Sequence, residues 1–224
     1  MSCLIKICGV RREAIAIEAA RLGARYVGFV FFPKSPRYIE PDAAEAIVTE
    51  VKQAAEDEGF DPPQFVGLFV DAGEKALAEA ARFLLHFQFH GHENPERCAA
   101  MGAEFGVDII KAIPVGGADD VGAAHEFAEA ADMLLFDARA PRGAERPGGH
   151  GAPFDWGLVK AYAGETPFLL AGGLNPGNVA KAIAAAKGPA SFVGVDVSSG
   201  VETSPGEKDA GLIAAFVKAA REAF

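Results

Sequence analysis

The chain has little of what would place it outside the cell, in a membrane or on a nucleic acid. Only three cysteines, Cys3, Cys8 and Cys98, occur in 224 residues, an odd number without Cys-x-x-Cys spacing. A disulfide framework and a structural zinc site are both disfavoured. No apolar run approaches the roughly 20 residues that a bilayer crossing requires. Met1-Ser2-Cys3-Leu4-Ile5-Lys6 reads as the start of a strand instead of a signal peptide, so a cytoplasmic protein with no membrane partner is expected. Cations are also scarce. With 21 Lys and Arg against 31 Asp and Glu the formal net charge is −10, and no nucleic-acid partner is expected without a basic face. A dianionic small molecule would have to be met by a few local cationic groups.

What is present is an alternation of short apolar runs and alanine-rich helical stretches. The runs read as strands at Leu4 to Cys8, Tyr26 to Phe31, Phe65 to Val70, His86 to Phe89, Asp108 to Ile113 and Met133 to Asp137, with two more in the stretches beginning at Pro167 and Phe192. Between them the pattern predicts helices over Arg11 to Leu22, from Asp42 with Glu45 as a capping box, over Gly73 to Leu84, from Asn94-Pro95, over about Asp120 to Ala130, from Asp155-Trp156, and over about Lys208 to Phe224. Ala138 to Pro153 is a long loop. Eight strand-helix repeats in one chain favour a closed eight-stranded parallel (β/α)₈ barrel, residues 1–224 forming a single domain. The strands are continuous apolar runs, as helix-covered strands should be. An open doubly wound sheet needs fewer units, and no Gly-x-Gly-x-x-Gly follows the first strand.

In such a barrel ligands lie at the carboxyl ends of the strands, so side-chain parity there matters. If Cys8 faces the barrel mouth, Lys6 shares that face and needs a carboxylate partner in the lumen. Asp196, opposite in facing to Val195 and Val197, is the first candidate. Gln88 and His90 point inward around Phe89, and Lys111 stands between two apolar neighbours.

The last two strands end in glycine and serine. Gly172 and Gly173 lack the Cβ that would hold an oxyanion away from backbone N–H groups, and Asn175-Pro176 reads as an N-cap with proline at the first helical position. Ser198, Ser199 and Gly200 add hydroxyls and N–H groups at the next strand end. Either cluster alone is also an ordinary strand-to-helix turn. Together they make a phosphate cup, where phosphate commonly sits in this architecture.

Taken together, Ile5-Lys6-Ile7-Cys8-Gly9, Phe32-Pro33-Lys34-Ser35-Pro36-Arg37, Gln88-Phe89-His90-Gly91, Asp137, Gly172-Gly173-Leu174-Asn175-Pro176 and Gly194-Val195-Asp196-Val197-Ser198-Ser199-Gly200-Val201-Glu202 resemble phosphoribosylanthranilate isomerase over essentially the whole chain. The resemblance implies an Amadori rearrangement of N-(5-phosphoribosyl)anthranilate in tryptophan biosynthesis, with Cys8 as general base and Asp137 as general acid. It implies that Arg37 meets the anthranilate carboxylate, and that Gln88, His90, Gly172, Gly173, Asp196, Ser198, Ser199 and Gly200 bind substrate. It implies neither metal nor organic cofactor, and a small-molecule phosphosugar substrate for a monomer or homodimer. The acid should have a raised pKa from an apolar setting or a nearby anion, and the thiolate should be favoured by nearby cations. The family usually has a small hydroxyl residue where His150 stands, inside a glycine-containing loop suited to closing over substrate.

Each residue has a plainer reading. A strand cysteine is commonly core, a strand-end aspartate a helix cap, and a loop arginine solvated. His90 and His92 with Glu93 could suggest a metal, but one short segment is a poor ligand set. A cyclising phosphosugar synthase would want a lysine acid and glutamate base, and a metal-dependent epimerase would want ligands spread over several strands; neither pattern stands out. A non-catalytic phosphosugar-binding barrel is opposed by the presence of both Cys8 and Asp137.

Overall fold

The computed structural model describes residues 3–141, 143–144, 146–149, 151 and 153–224. Eight parallel strands close into one barrel in sequence order. They are β1 Leu4–Cys8, β2 Tyr26–Val30, β3 Gln64–Phe69, β4 His86–Phe89, β5 Asp108–Val115, β6 Met133–Ala138, β7 Phe168–Leu170 and β8 Phe192–Val197. Outside them lie α1 Glu13–Arg21, α2 Pro41–Glu58, α3 Glu74–Ala81, α4 Pro95–Phe105, α5 Ala118–Ala123, α6 Val179–Ala186 and α7 Ala210–Ala223. The expected (β/α)₈ barrel is therefore the fold. Among the described residues no helix is long and apolar enough to cross a membrane.

Period-two alternation divides the interior. Ile5, Ile7, Val27, Phe29, Leu134, Phe136, Leu170 and Val195 pack outward against the helices, whereas Tyr26, Val66, Ile110, Ala112, Leu135, Leu169 and Ala171 fill the lumen. Apolar packing thus plugs the lower barrel, and nearer the carboxyl rim β1, β4 with the residue that follows it, β6 and β8 turn Lys6 and Cys8, Gln88 and His90, Asp137, and Asp196 into the lumen.

Local geometry departs from the sequence expectations where proline or a tight turn intervenes. Glu40, not Asp42, is the N-cap of α2, because Pro41 already occupies the first helical position. Asp42 and Glu45 instead reach Arg82. Asn175-Pro176 forms a turn in which Asn175 Oδ1 accepts from Gly177 N–H and Asn178 Oδ1 from Asn175 N–H, so α6 starts only at Val179. β5 runs on to Val115, and the helix after it is short, passing into a 3₁₀ turn at Ala124–Phe127. Asp155 caps a 3₁₀ segment, Trp156–Ala161, instead of an α-helix. A small hairpin, β9 Glu202–Ser204 and β10 Glu207–Lys208, follows β8, and Asp209 caps α7 one residue later. Asn94 does cap α4, accepting from Arg97 N–H at 2.9 Å.

Lys111 lies on the helix side of β5, its neighbours Ile110 and Ala112 facing the lumen. Its ammonium is buried and donates to Gly91 O at 2.9 Å and Glu93 Oε2 at 3.1 Å. The Glu93 carboxylate also accepts from Asp71 N–H and Gly91 N–H, tying the turns after β3 and β4 together directly beneath His90. Glu93→Ala would strand a buried ammonium and two backbone donors. A loss of about 3–5 kcal/mol in urea unfolding is expected; a loss under about 1 kcal/mol would mean that the pair behaves like a solvated one.

Candidate active site

The register of β1 against its neighbours determines what surrounds Cys8. Lys6 stands beside Asp196 on β8, and Cys8 beside Gly28 on β2. Lys6 is fully buried and its Nζ lies 2.7 Å from Asp196 Oδ1, as the parity argument requires. Burial alone would lower its pKa, but Asp196, and then Cys8, override that and push it up to about 12. A Cβ on Gly28 would lie 3.1 Å from Cys8 Sγ and 3.4 Å from Lys6 Nζ, so this strand glycine is what leaves room for the thiol beside the ammonium.

The expected cations stand beside Cys8, but they do not make it a resting thiolate. Burial pushes its pKa up, and the Asp196 charge adds to that; Lys6 and Lys208 pull the other way without reversing it. The free protein therefore holds a thiol at neutral pH, with a cation beside it that would stabilise the thiolate once formed.

Asp137 meets its expectation. Burial, followed by the Asp196 charge, raises its carboxyl to about 7 against the opposing pull of the Ala138 N–H and Lys6. Its Oδ1 accepts from Ala138 N–H at 2.8 Å, and its Oδ2 lies 3.4 Å from His90 Nε2. Burial and the Lys111 and Lys6 charges lower His90 to about 3, so its ring is neutral. His90 Nδ1 faces Gln88 Nε2 at 3.4 Å. The loop after β6 covers this group. A Cβ on Gly148 would fall 2.7 Å from His90 Cε1 and 2.9 Å from Asp137 Oδ2, and one on Gly149 2.6 Å from Arg37 Nη1. His150 lies outside the described residues.

Arg37 is buried, not solvated. Its Nε and Nη2 donate to the two oxygens of Glu202 at 2.7 and 2.8 Å. Lys208 Nζ donates to the same carboxylate at 2.5 Å and to Ser198 O at 3.1 Å. Two cations about one carboxylate leave one positive charge in excess, and Arg37 and Lys208 keep the Glu202 carboxyl below its usual range despite its burial.

The rim holds one cleft with two lobes that share Asp137, Asp196, Ser198 and Gly149. One lobe is the glycine-serine cup of Gly172, Gly173, Ser198 and Ser199, with Arg139 at its margin. Gly172 and Gly173 have φ of 84° and 66°, which glycine alone adopts freely. The other lobe joins Cys8, Arg37, Gln88 and His90 to an apolar wall of Val30, Phe32, Leu68 and Val70. Gly200 does not line the cup. A Cβ there would fall 1.8 Å from Leu174 O, so this glycine lets the loop after β8 dock onto the loop after β7.

The two histidines of the candidate ligand segment separate. His92 is exposed and bound to Asp71, whereas His90 is largely covered beside Asp137. Among the described residues no group of three or more His, Cys, Asp or Glu could hold a metal ion. Residues that the strand pattern did not select are Gly28, Glu202, Lys208 and the apolar wall. A glycine inside β2 was the available signal for the first; Lys208 comes in on a hairpin that no periodicity announces.

Residues 5–219 match a family model described as N-(5'phosphoribosyl)anthranilate (PRA) isomerase. The N-(5'-phosphoribosyl)anthranilate isomerase of Rhodospirillum rubrum is 48% identical over 221 residues, 98% of each chain. That of Rhodopseudomonas palustris is 45% identical over 225 residues and is covered, like this chain, in full. The crystal structure of phosphoribosyl anthranilate isomerase from Thermotoga maritima is similar with a TM-score of 0.82 and 35% identity, over 98% of this chain and 99% of that one. A structure of phosphoribosyl anthranilate isomerase with reduced 1-(o-carboxyphenylamino)-1-deoxyribulose 5-phosphate has a TM-score of 0.78 and 32% identity over the same shares.

The raised carboxyl has a consequence for stability. Asp137 titrates near 7 in the folded chain against an ordinary 3.8, so the folded state binds its proton more tightly. That contribution is complete below the ordinary value and is lost as pH rises through about 7. Asp137→Asn, which cannot ionise, should therefore gain on the wild type in urea midpoint as pH increases from about 4 to about 8. Parallel midpoints across that range would show that the carboxyl titrates as a solvated one.

Proposed function

The chain belongs to the N-(5'-phosphoribosyl)anthranilate isomerase family, and we propose that Cys8 and Asp137 are the base and acid of its reaction. That reaction is an intramolecular isomerisation in tryptophan biosynthesis, the Amadori rearrangement of N-(5-phosphoribosyl)anthranilate to 1-(2-carboxyphenylamino)-1-deoxyribulose 5-phosphate. The observation that carries the residue assignment is convergence: Cys8 and Asp137 line the same lobe, which opens directly into the glycine-serine cup.

The substrate has a dianion, a pentose and a flat anionic ring, and the cleft is graded in the same order. The phosphate lies in the cup against the backbone of Gly172 and Gly173 and the hydroxyls of Ser198 and Ser199. The ribose then spans the shared floor of Asp137 and Asp196. The anthranilate ring packs on Val30, Phe32 and Leu68, and its carboxylate meets the Nη1 edge of Arg37, the edge that Glu202 leaves open. Bound this way the sugar is held for proton transfer at two of its atoms.

Asp137, protonated up to about pH 7, gives its proton to the ring oxygen as the C1–O bond breaks. The open iminium acidifies the C2 proton, which Cys8 removes in its thiolate form, the minor form at neutral pH because burial keeps most of the thiol protonated. The Lys6 ammonium stabilises that thiolate, and Asp196 holds Lys6 in place. The Cys8 thiol then returns a proton to C1, and the C2 hydroxyl proton passes to the Asp137 carboxylate as the ketone forms, which restores both groups. Every step is a proton transfer between groups of this chain and the substrate, and neither metal nor organic cofactor enters. We also take residues 1–224 to act as one barrel domain on a small phosphosugar, as a monomer or as a homodimer; the Thermotoga maritima protein is described as dimeric, with monomers also generated from it.

With freshly generated substrate, followed by loss of its fluorescence, Cys8→Ser and Asp137→Asn should each lower kcat on the order of 10²- to 10⁴-fold with folding intact. Near-wild-type turnover in either variant removes that residue from the chemistry. Arg37→Lys cannot serve both Glu202 and a carboxylate, so its KM should rise with a smaller change in kcat; an unchanged KM rules out the contact. A chelator should leave the rate unaltered.

A further inference from the structure

Resting on the reading of Asp137 as the acid, a second question concerns where its proton sits. Oδ1 is already an acceptor, engaged by the Ala138 N–H at 2.8 Å. The proton of the neutral carboxyl is therefore on Oδ2, the oxygen that faces His90 Nε2. An N–H at that ring nitrogen would point one donor at another. His90 must then present a bare Nε2 and carry its proton on Nδ1, towards Gln88.

Gln88 completes the chain. With its amide nitrogen facing His90 Nδ1, two donors would meet, while Gln88 Oε1 is buried with no hydrogen-bond partner among the described residues. A half-turn of the amide exchanges oxygen and nitrogen and turns an acceptor towards His90 Nδ1–H. We propose that Gln88 and His90 form a positioning relay that keeps Asp137 an acid: Gln88 Oε1 accepts from His90 Nδ1–H, and His90 Nε2 accepts from the Asp137 O–H.

The direction of the effect follows from hydrogen bonding. A bond accepted from the carboxyl O–H favours the protonated form, whereas an Nε2–H donated to Oδ2 would favour the anion and disarm the acid. The 3.4 Å separation makes the bond a weak one, so the proton can leave for the substrate at little cost. The backbone at Gly148 closes over the pair and shields it from bulk water. The other charged groups facing it are Lys6, Cys8, Lys111, Asp196 and Arg146. Of these only a thiol ordinarily titrates near neutrality, and burial has moved Cys8 upward, away from the acid limb.

Long-range proton-nitrogen NMR of the ¹⁵N-labelled full chain reads the protonation of each imidazole nitrogen, with His90 assigned by comparison with His90→Asn. At neutral pH His90 should show a protonated Nδ1 and a bare Nε2; the reverse tautomer overturns the relay. Gln88→Met removes the acceptor, so the Nε2–H form should gain population and the alkaline limb of kcat/KM should move down by about one pH unit, a tenfold change in the proton equilibrium. An unmoved limb also overturns the relay. Gln88→Glu keeps an acceptor and should keep the Nδ1–H tautomer even if Gln88→Met fails to fold; loss of that tautomer in the glutamate variant counts against the proposal. Full turnover by Asp137→Asn would instead sink the acid assignment, leaving the tautomer measurement to stand separately.

Discussion

Lys6 is an ammonium without solvent exposure inside a barrel of apolar strands, and its carboxylate partner among the described residues is Asp196 on the adjacent strand. Burying either charge alone would be prohibitive, so the two strands must meet in the register that pairs them. Much of the rim's electrostatics follows from that pair. Burial, and then the Asp196 charge that neutralises Lys6, raise Asp137, which keeps a carboxyl protonated near neutrality. The Lys6 charge lies beside Cys8 and opposes the burial that keeps the thiol protonated. One ion pair therefore sets an acid and a thiol in opposite electrostatic surroundings within the same lumen.

Backbone proximity is the second constraint. Glycine occurs where the chain closely approaches a functional atom: Gly28 over Cys8 and Lys6, where a Cβ would be tight, and Gly148 over Asp137 and His90 and Gly149 over Arg37, where a Cβ would force a shift. At the cup, Gly172 and Gly173 take backbone conformations that other residues resist. These positions trade chain entropy for access, and they let the loop after β6 lie against the rim. Beneath it the Glu93–Lys111 pair and the Arg37–Glu202–Lys208 group anchor opposite sides of the mouth with buried charges. Fixed charges of this kind act on a bound sugar without the reorganisation that water would need.

Much of the site could be read from the chain before any coordinates. Parity placed Lys6 and Cys8 on one face, chose Asp196 as the partner, and turned Gln88 and His90 inward, because a strand's period of two needs no tertiary information. The glycine-serine strand ends foretold the cup, although Gly200 proved to be a docking residue and Asn175-Pro176 a turn ahead of the helix. Lys208 and Glu202 could not be placed by the same logic. They come back to the rim on a hairpin outside the barrel, where no alternation with the lumen operates. The direction of the Cys8 shift was likewise out of reach, since it is a balance between burial and charge.

The sequence by itself determined the repeat, the eight strands, the barrel and the residue types at each strand end, since these depend on local periodicity and on which side chains tolerate burial. The tertiary structure alone decided which groups share a cavity and in what protonation state. Those outcomes depend on strand register, on distances of a few ångströms between residues as far apart as Arg37 and Glu202, and on how deeply each charge is removed from water.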